Sequence, residues 1–295
     1  MASVTERQKR LLASLVERYV EARRPVPSRE LAGALGVSPA TVRYDLQALE
    51  AEGYVEKPHV SAGRVPTAKA YRAYALSLLP PAPLPEATRR SLARALASAG
   101  HDWPRLAAQI AARLAGYPAL LRLVPRDEPR VVQVHLTPLE GPRVLAVAVL
   151  PGGRLRQAVL ELPFEPEAEL LAAAERGAAD SPKLSALQSA LKGAFATARD
   201  ERHVAGLAEL LSEPEAQDPA FLGRVLAYLE SPLGGPLTPR GGYNIRLEEG
   251  LAWVQAGFSR SGWLGELSLV GPERMRFPRA LSVARTLSET LEEEG

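Results

Sequence analysis

An α+β protein with two dissimilar ends is what this 295-residue sequence predicts, and three observations predict it. The first 76 residues alternate short helical patterns with capping and glycine signals, then give a short strand and a loop. The apolar period changes from helical to alternating near Arg130. Strand-like runs stop at about 165, helical sequence fills 166–230, and two further strand-like runs precede a last helix. That order describes a small helical N-terminal domain followed by an antiparallel α+β domain that holds an insertion.

Each element has its own signal. Leu11, Leu12, Leu15, Val16, Tyr19 and Val20 recur at helical spacing over about 5–22, and Arg24-Pro25-Val26-Pro27 stops them. Ser28 is placed to cap a short helix through Leu35, with Leu31, Ala32 and Leu35 inward. Gly36 suits the left-handed turn that ends it. Ser38-Pro39 opens a third helix, a capping hydroxyl followed by proline where no amide bond is lost. Val42, Leu46 and Leu49 are its apolar stripe, and Gly53 closes it. Tyr54-Val55-Glu56-Lys57 reads as a strand and Val60–Val65 as a loop or second strand. Residues 67–79 are helical again.

The dense prolines of Pro80-Pro81-Ala82-Pro83-Leu84-Pro85 read as a stiff domain linker. Helices are expected at 86–99 and 103–115. Strands are expected at 131–136, 144–150 and 155–162, separated by Glu140-Gly141-Pro142 and Pro151-Gly152-Gly153. After the helical stretch and a Gly/Pro loop at 231–242, strands follow at 251–258 and 264–270, then a helix over 278–293. The expected domains are 1–79, a linker at 80–85, a sheet domain in two parts at 86–165 and 243–295, and an insertion at 166–242.

Composition excludes several classes. There is no cysteine, so disulfides, thiolate metal sites and cysteine nucleophiles are absent. The four histidines, at 59, 101, 135 and 203, are far apart in sequence. Charges throughout the first 30 residues and the lack of a long apolar run argue against an export signal or membrane span, and the expectation is a soluble, cytoplasmic protein. No glycine loop of the phosphate-cradling kind is present, and the paired acids show no direction. No metal, cofactor or catalytic group is assigned, and the protein is expected not to be an enzyme. Scarce Asn and Cys fit heat adaptation or, equally, a GC-rich genome.

The net charge of +2 hides an asymmetry. Residues 1–76 carry 12 Lys/Arg against 8 Asp/Glu, while the remainder is slightly acidic. A modest basic excess permits nucleic-acid binding, and motif must decide it. Helix, short helix, glycine turn, helix, strand and loop describe a winged helix-turn-helix, whose third helix enters the major groove. Ser38, Ala40, Thr41, Arg43, Tyr44 and Gln47 lie off its core stripe. Arg43 can fork onto guanine and Gln47 onto adenine, while Thr41 and Tyr44 suit phosphate. Lys57, His59, Ser61 and Arg64 cluster on the wing, where small neighbours would let the backbone approach DNA closely.

Three stretches carry a specific resemblance. Ser38-Pro39-Ala40-Thr41-Val42-Arg43, Leu49-Glu50-Ala51-Glu52-Gly53-Tyr54-Val55, and Pro58-His59-Val60-Ser61-Ala62-Gly63-Arg64-Val65-Pro66-Thr67 with Lys69, Tyr71 and Tyr74 resemble the HrcA family of heat-inducible transcription repressors. Ile245-Arg246-Leu247-Glu248 and Val270-Gly271-Pro272-Glu273-Arg274-Met275 resemble that family's late motifs. Ala70 stands where the family usually has glycine, and Tyr44-Asp45 where it has Asn-Glu. The chain is shorter than typical members, with the deficit assigned to the middle.

The resemblance implies a winged helix, a GAF-like domain and a dimerising domain inserted into it. It implies a homodimer on double-stranded DNA, at an inverted-repeat operator of chaperone operons, kept active by the GroE chaperonin. For dimer contacts, Leu207, Leu210, Leu211, Phe221, Leu222, Val225, Leu226 and Leu229 are candidates, although they equally suit the insert's own core. Arg274 is read as a structural arginine of its loop.

Two other functions stay open. A GAF-like domain could hold a small-molecule effector, which convergent polar residues within strands would favour, but Leu145, Val147, Val149, Trp253 and Leu267 point to packed apolar faces. An interaction module that never reads DNA is the third class.

Overall fold

The structure, a computed structural model, describes residues 4–59, 63–126, 131–150, 153–176, 181–196, 201–230 and 236–293. The chain divides into two compact units, one of residues 1–122 with 202–295 and the other Leu123–Glu201.

The first unit begins with α1 (Glu6–Ala22), α2 (Ser28–Leu35) and α3 (Pro39–Ala51). Thr5 caps α1 through a reciprocal box with Gln8, and Leu11, Leu12, Leu15 and Val16 are its buried stripe. Pro27, not Ser28, occupies the cap position of α2, and no side chain caps it. Proline's fixed φ makes it a natural entry there, so Ser28 becomes the first helical residue. Gly36 turns left-handed at φ 65°, as its position between two helices demands. Strands β1 (Val55–Glu56) and β2 (Val65–Pro66) pair antiparallel, and α4 (Ala68–Ser77) follows.

Next come α5 (Glu86–Ser98) and α6 (Trp103–Ala115), then β3 (Ala119–Pro125). The chain re-enters the unit along β7 (Glu201–Ala205), followed by α9 (Leu207–Leu210), α10 (Pro219–Glu230), β8 (Tyr243–Glu248), β9 (Leu251–Arg260), β10 (Trp263–Pro272) and α11 (Phe277–Glu293). Five strands form one sheet in the order β7-β3-β10-β9-β8. Strands β9 and β10 are buried along nearly their whole length, the mark of central strands covered on both faces. Helix α11 packs along β9, and Leu210, Phe221, Val225 and Leu229 pack with Leu120, Leu251, Trp253 and Val270.

The residues 80–85 do not run free between domains. The Leu84 N–H donates to Thr286 Oγ1 at 2.8 Å, and Arg285 Nη1 donates to the Pro81 carbonyl, so the proline segment is strapped along α11.

The second unit holds β4 (Gln133–Pro138), β5 (Arg143–Leu150), β6 (Arg154–Glu161), α7 (Ala168–Glu175) and α8 (Pro182–Ala196). The three strands form their own antiparallel sheet in sequence order. Leu136, Val144, Ala146, Ala148 and Leu160 line its inner face and pack with Leu171, Leu187 and Phe195 of the two helices.

Two expectations therefore change. The strands at 131–162 were assigned to the main sheet and the insertion to 166–242, but the separate unit is Leu123–Glu201. Hairpin-connected strands pair with their sequence neighbours, and the next two helices suffice to cover the inner face of the sheet. The main sheet takes β3, β7 and β8 instead. The candidate dimer stripe also changes meaning, because Leu210, Phe221, Val225 and Leu229 are buried inside the first unit, and Leu222 is packed against the same cluster. Only Leu207, Leu211 and Leu226 are exposed. Among the described residues, no helix is long and apolar enough to cross a membrane.

Candidate nucleic-acid interface

The third helix presents its two faces as its sequence requires. Val42, Leu46 and Leu49 are buried, while Ser38, Ala40, Arg43, Tyr44 and Gln47 are exposed and Thr41 is half-buried. Ser38 Oγ accepts the Thr41 N–H at 3.1 Å, and the two hydroxyls lie 2.8 Å apart. That cap satisfies an otherwise unpaired amide at the helix end that would enter a groove first. Tyr44 is 70% exposed, an unusual place for a large aromatic ring on a monomer surface. Among the described residues, neither Arg43 nor Gln47 has a protein partner for its side chain. Both remain available for bidentate contact with base edges.

Asp45, next to Tyr44, belongs to the other face. Its side chain is 3% exposed and accepts Arg7 Nε at 2.6 Å and Nη2 at 2.9 Å, a two-pronged pair that ties α3 to α1. The hydrogen bond and charge of Asp45 raise the pKa of the Arg7 guanidinium. The sequence reading missed this pair, since a charge inside an apolar stripe is recognisable only once its partner is known.

The wing divides the basic residues into two groups. Lys57 and His59 are exposed, Ser61 lies outside the described residues, and Arg64 is turned inward. Arg64 Nη2 donates to Glu50 Oε2 at 2.7 Å, and its side chain is only 16% exposed. Its backbone exchanges two hydrogen bonds with Val26, at 2.9 and 3.0 Å, a single antiparallel bridge that ties the segment between α1 and α2 to the wing. A Cβ on Gly63 would stand 2.4 Å from the Val26 carbonyl carbon. The small residue is thus needed for a close approach to the protein's own backbone.

The rest of that motif braces the wing and α3 from behind. Thr67 caps α4 and donates its hydroxyl to the carbonyls of Gly53 and Tyr54, at 2.8 and 3.0 Å. Lys69 Nζ donates to the Glu52 carbonyl at 2.5 Å and sits 4.3 Å from the centre of the Tyr54 ring, closing the C-terminal end of α3. Tyr71 and Tyr74 are buried on α4, and the Tyr74 hydroxyl donates to Glu17 Oε1 at 2.9 Å. Burial, above all, raises the pKa of both phenols.

Comparison with known proteins agrees with this geometry. The family described as "Winged helix-turn-helix transcription repressor, HrcA DNA-binding" matches residues 3–79, and "HrcA protein C terminal domain" matches residues 102–177. The heat-inducible transcription repressor HrcA of Acidothermus cellulolyticus is 34% identical, over 98% of this chain and 99% of its own length. That of a Synechococcus species is also 34% identical, over 99% and 98%. The first of these alignments spans 335 positions, so the relative carries segments that this chain lacks. A crystal structure described only as that of a hypothetical protein shares the fold, with a TM-score of 0.62, 20% identity and coverage of 99% of this chain and 97% of the other. With a winged helix that leaves one face of its third helix open, and relatives of this identity matched over nearly their full length, the chain belongs to the HrcA family of heat-inducible transcription repressors.

Proposed function

We propose that the chain represses chaperone operons as a homodimer on an inverted-repeat operator. Ser38, Ala40, Thr41, Arg43, Tyr44 and Gln47 form the reading face, and Lys57, His59 and Ser61 of the wing reach the backbone or the minor groove. Arg64 acts at second hand, by holding the wing against Glu50. The observation that carries this reading is the capped third helix, with Arg43 and Gln47 on its exposed side and without a partner among the described residues. A two-fold dimer suits a palindrome because each half-site then meets the same surface.

The dimer contact is assigned to the outer face of the three-stranded sheet. By strand register, Leu145, Val147 and Val149 of β5 share that face with Leu155 and Val159 of β6. Leu155 and Val159 are 67% and 59% exposed, on a face where antiparallel sheets ordinarily place polar side chains. Family resemblance supports maintenance of the active dimer by the GroE chaperonin, with stress drawing the chaperonin away.

Binding to inverted-repeat, half-site and random duplexes at several salt concentrations, with and without chaperonin, tests each part. The expected result is preference for the inverted repeat and a larger active fraction with chaperonin. Equal affinity for all three duplexes overturns operator reading, and an unchanged active fraction overturns the chaperonin part.

A specific observation also favours a ligand-controlled reading. Gln255, Glu266 and Ser268 are buried on one face of β9 and β10, beside Asn244 of β8, so polar groups do converge within the sheet. They satisfy one another, however. Glu266 Oε2 accepts the Thr238 N–H at 2.7 Å and its hydroxyl at 2.6 Å, and Oε1 accepts Gln255 Nε2 at 3.1 Å. Asn244 Nδ2 donates to Gln255 Oε1 at 2.7 Å. A network closed in this way serves as core, and the repressor without a small-molecule effector is preferred.

A further inference from the structure

Helix α1 ends at Arg23, which adopts a left-handed conformation at φ 54° and donates its N–H to the Tyr19 carbonyl. From that point its Nη2 reaches Glu213 Oε2, 3.4 Å away in the loop after α9. The same oxygen accepts Arg274 Nη2 at 2.6 Å, from the turn between β10 and α11. Arg274 also forks onto Glu215, with Nε to Oε1 at 2.6 Å and Nη2 to Oε2 at 2.5 Å.

Charge balance gives this cluster its meaning. Glu213 is 4% exposed and Arg274 10%, so both are largely removed from water. Burial alone would lower the Arg274 pKa, but its hydrogen bonds to Glu215 and Glu213 and their charges hold it raised. One guanidinium against two carboxylates leaves a negative charge over, part of it on Glu215, which at 32% exposure keeps some screening by water. Arg23, from the winged helix, supplies the second positive charge. The sheet domain's own cluster is neutral only while the winged helix is docked.

A second tether lies on the same rigid piece. The segment 80–85 leaves the winged helix and is bonded to Arg285 and Thr286 of α11, the helix that begins just after Arg274. Helix α4 also packs against β8, so the winged helix already rests on the sheet domain, and the two polar attachments add to that contact in fixing its rotation.

We propose that Arg23 and Glu213 are positioning residues for operator recognition: their pair, completed by Arg274, locks the winged helix to the sheet domain, removes one joint between dimer contact and reading helix, and so restricts the half-site spacing the repressor accepts. This rests on the inverted-repeat dimer reading above. A change of one base pair between half-sites turns one half relative to the other by roughly 35°. A rigid dimer loses simultaneous contact on such a change, while a loosened one follows it.

Arg23→Gly is the cleanest break, because glycine accepts the left-handed helix end while the whole side chain, guanidinium included, is removed. Full-length protein and variant are compared on operators with the native spacer and with spacers altered by one to three base pairs, and on a half-site. Wild type is expected to lose about tenfold or more on each altered spacer, whereas Arg23→Gly varies by less than about threefold across the series, with half-site affinity unchanged. Glu213→Gln, which leaves Arg274 paired with Glu215, should flatten the profile in the same way, and the double variant no further.

Amide hydrogen exchange reads the lock without DNA. Faster exchange at the end of α1 and at Leu84 in Arg23→Gly is the expected result. Wild-type exchange together with wild-type spacer discrimination in that variant overturns the lock. A wild-type protein that binds half-site and inverted repeat alike overturns the dimer reading, while the exchange result still decides whether the lock exists.

Discussion

Residues of one chemical type divide by what they touch. Arg43 and Arg64 look equivalent in the sequence as basic groups of a winged helix, yet one is exposed on the surface and the other holds Glu50. Arg43→Ala should cost about 1–3 kcal/mol of specific binding, relax discrimination at one base pair and leave the melting temperature unchanged. Arg64→Ala should lower the melting temperature as well, because it strips a partner from the wing, and parallel melting and gel-shift measurements separate the two. Lys57→Ala is expected to weaken all duplexes alike and to reduce the salt dependence by about one counterion. Gly63→Ala forces a Cβ into the Val26 backbone and should destabilise the protein by roughly 1–3 kcal/mol in denaturant titration.

Elements were legible where a local signal sufficed. The Ser38-Pro39 start of α3 and the spans of α1, α5, α6 and α11 follow from caps and apolar spacing, and their observed bounds lie within a residue or two of those expected. Ser38→Ala should remove about 1 kcal/mol from the winged helix, seen as a lower denaturation midpoint. Strand β3 was missed for a physical reason: Ala119-Leu120-Leu121-Arg122-Leu123 is buried on both faces, so it lacks alternation and resembles a buried helix segment. Strand β8 did alternate, with Ile245 and Leu247 against Asn244, Arg246 and Glu248, and the signal that could have found it was present. In the second unit, edge strand β4 has its Leu136 N–H covered by Glu175 Oε1 at 2.6 Å, which removes one pairing site from an open edge.

At the scale of the molecule, the important distinction is between apolar surface that is filled and apolar surface that is left open. The leucine-rich stripe at 207–229 looked like a dimer seam and is chiefly interior to the first unit. The outer face of the three-stranded sheet is the open one. On the proposed dimer reading, Leu155→Asp with Val159→Asp should give a monomer by sedimentation and reduce inverted-repeat binding to the half-site level, with the winged helix still folded. Leu211→Asp, which adds charge at an exposed position of the first unit, should leave the dimer intact. The strapped proline segment belongs to this scale too, since extended chain packs along α11 where composition alone suggested a stiff linker between domains.

By itself the sequence determined the class of the protein, the winged helix, the cap and exposed face of α3, and most helices, because each depends on residues within a few positions of one another. It also carried the family resemblance in short motifs at both ends. Only the tertiary structure decided which strands share a sheet, which leucines are core, that Asp45 and Arg64 are internal ties, and that Arg23, Glu213 and Arg274 meet across 251 residues of chain, from 23 to 274. Those outcomes depend on partners distant in sequence. A charged or apolar side chain states its chemistry locally, but whether that chemistry is spent on the protein or left for DNA is settled by what folds against it.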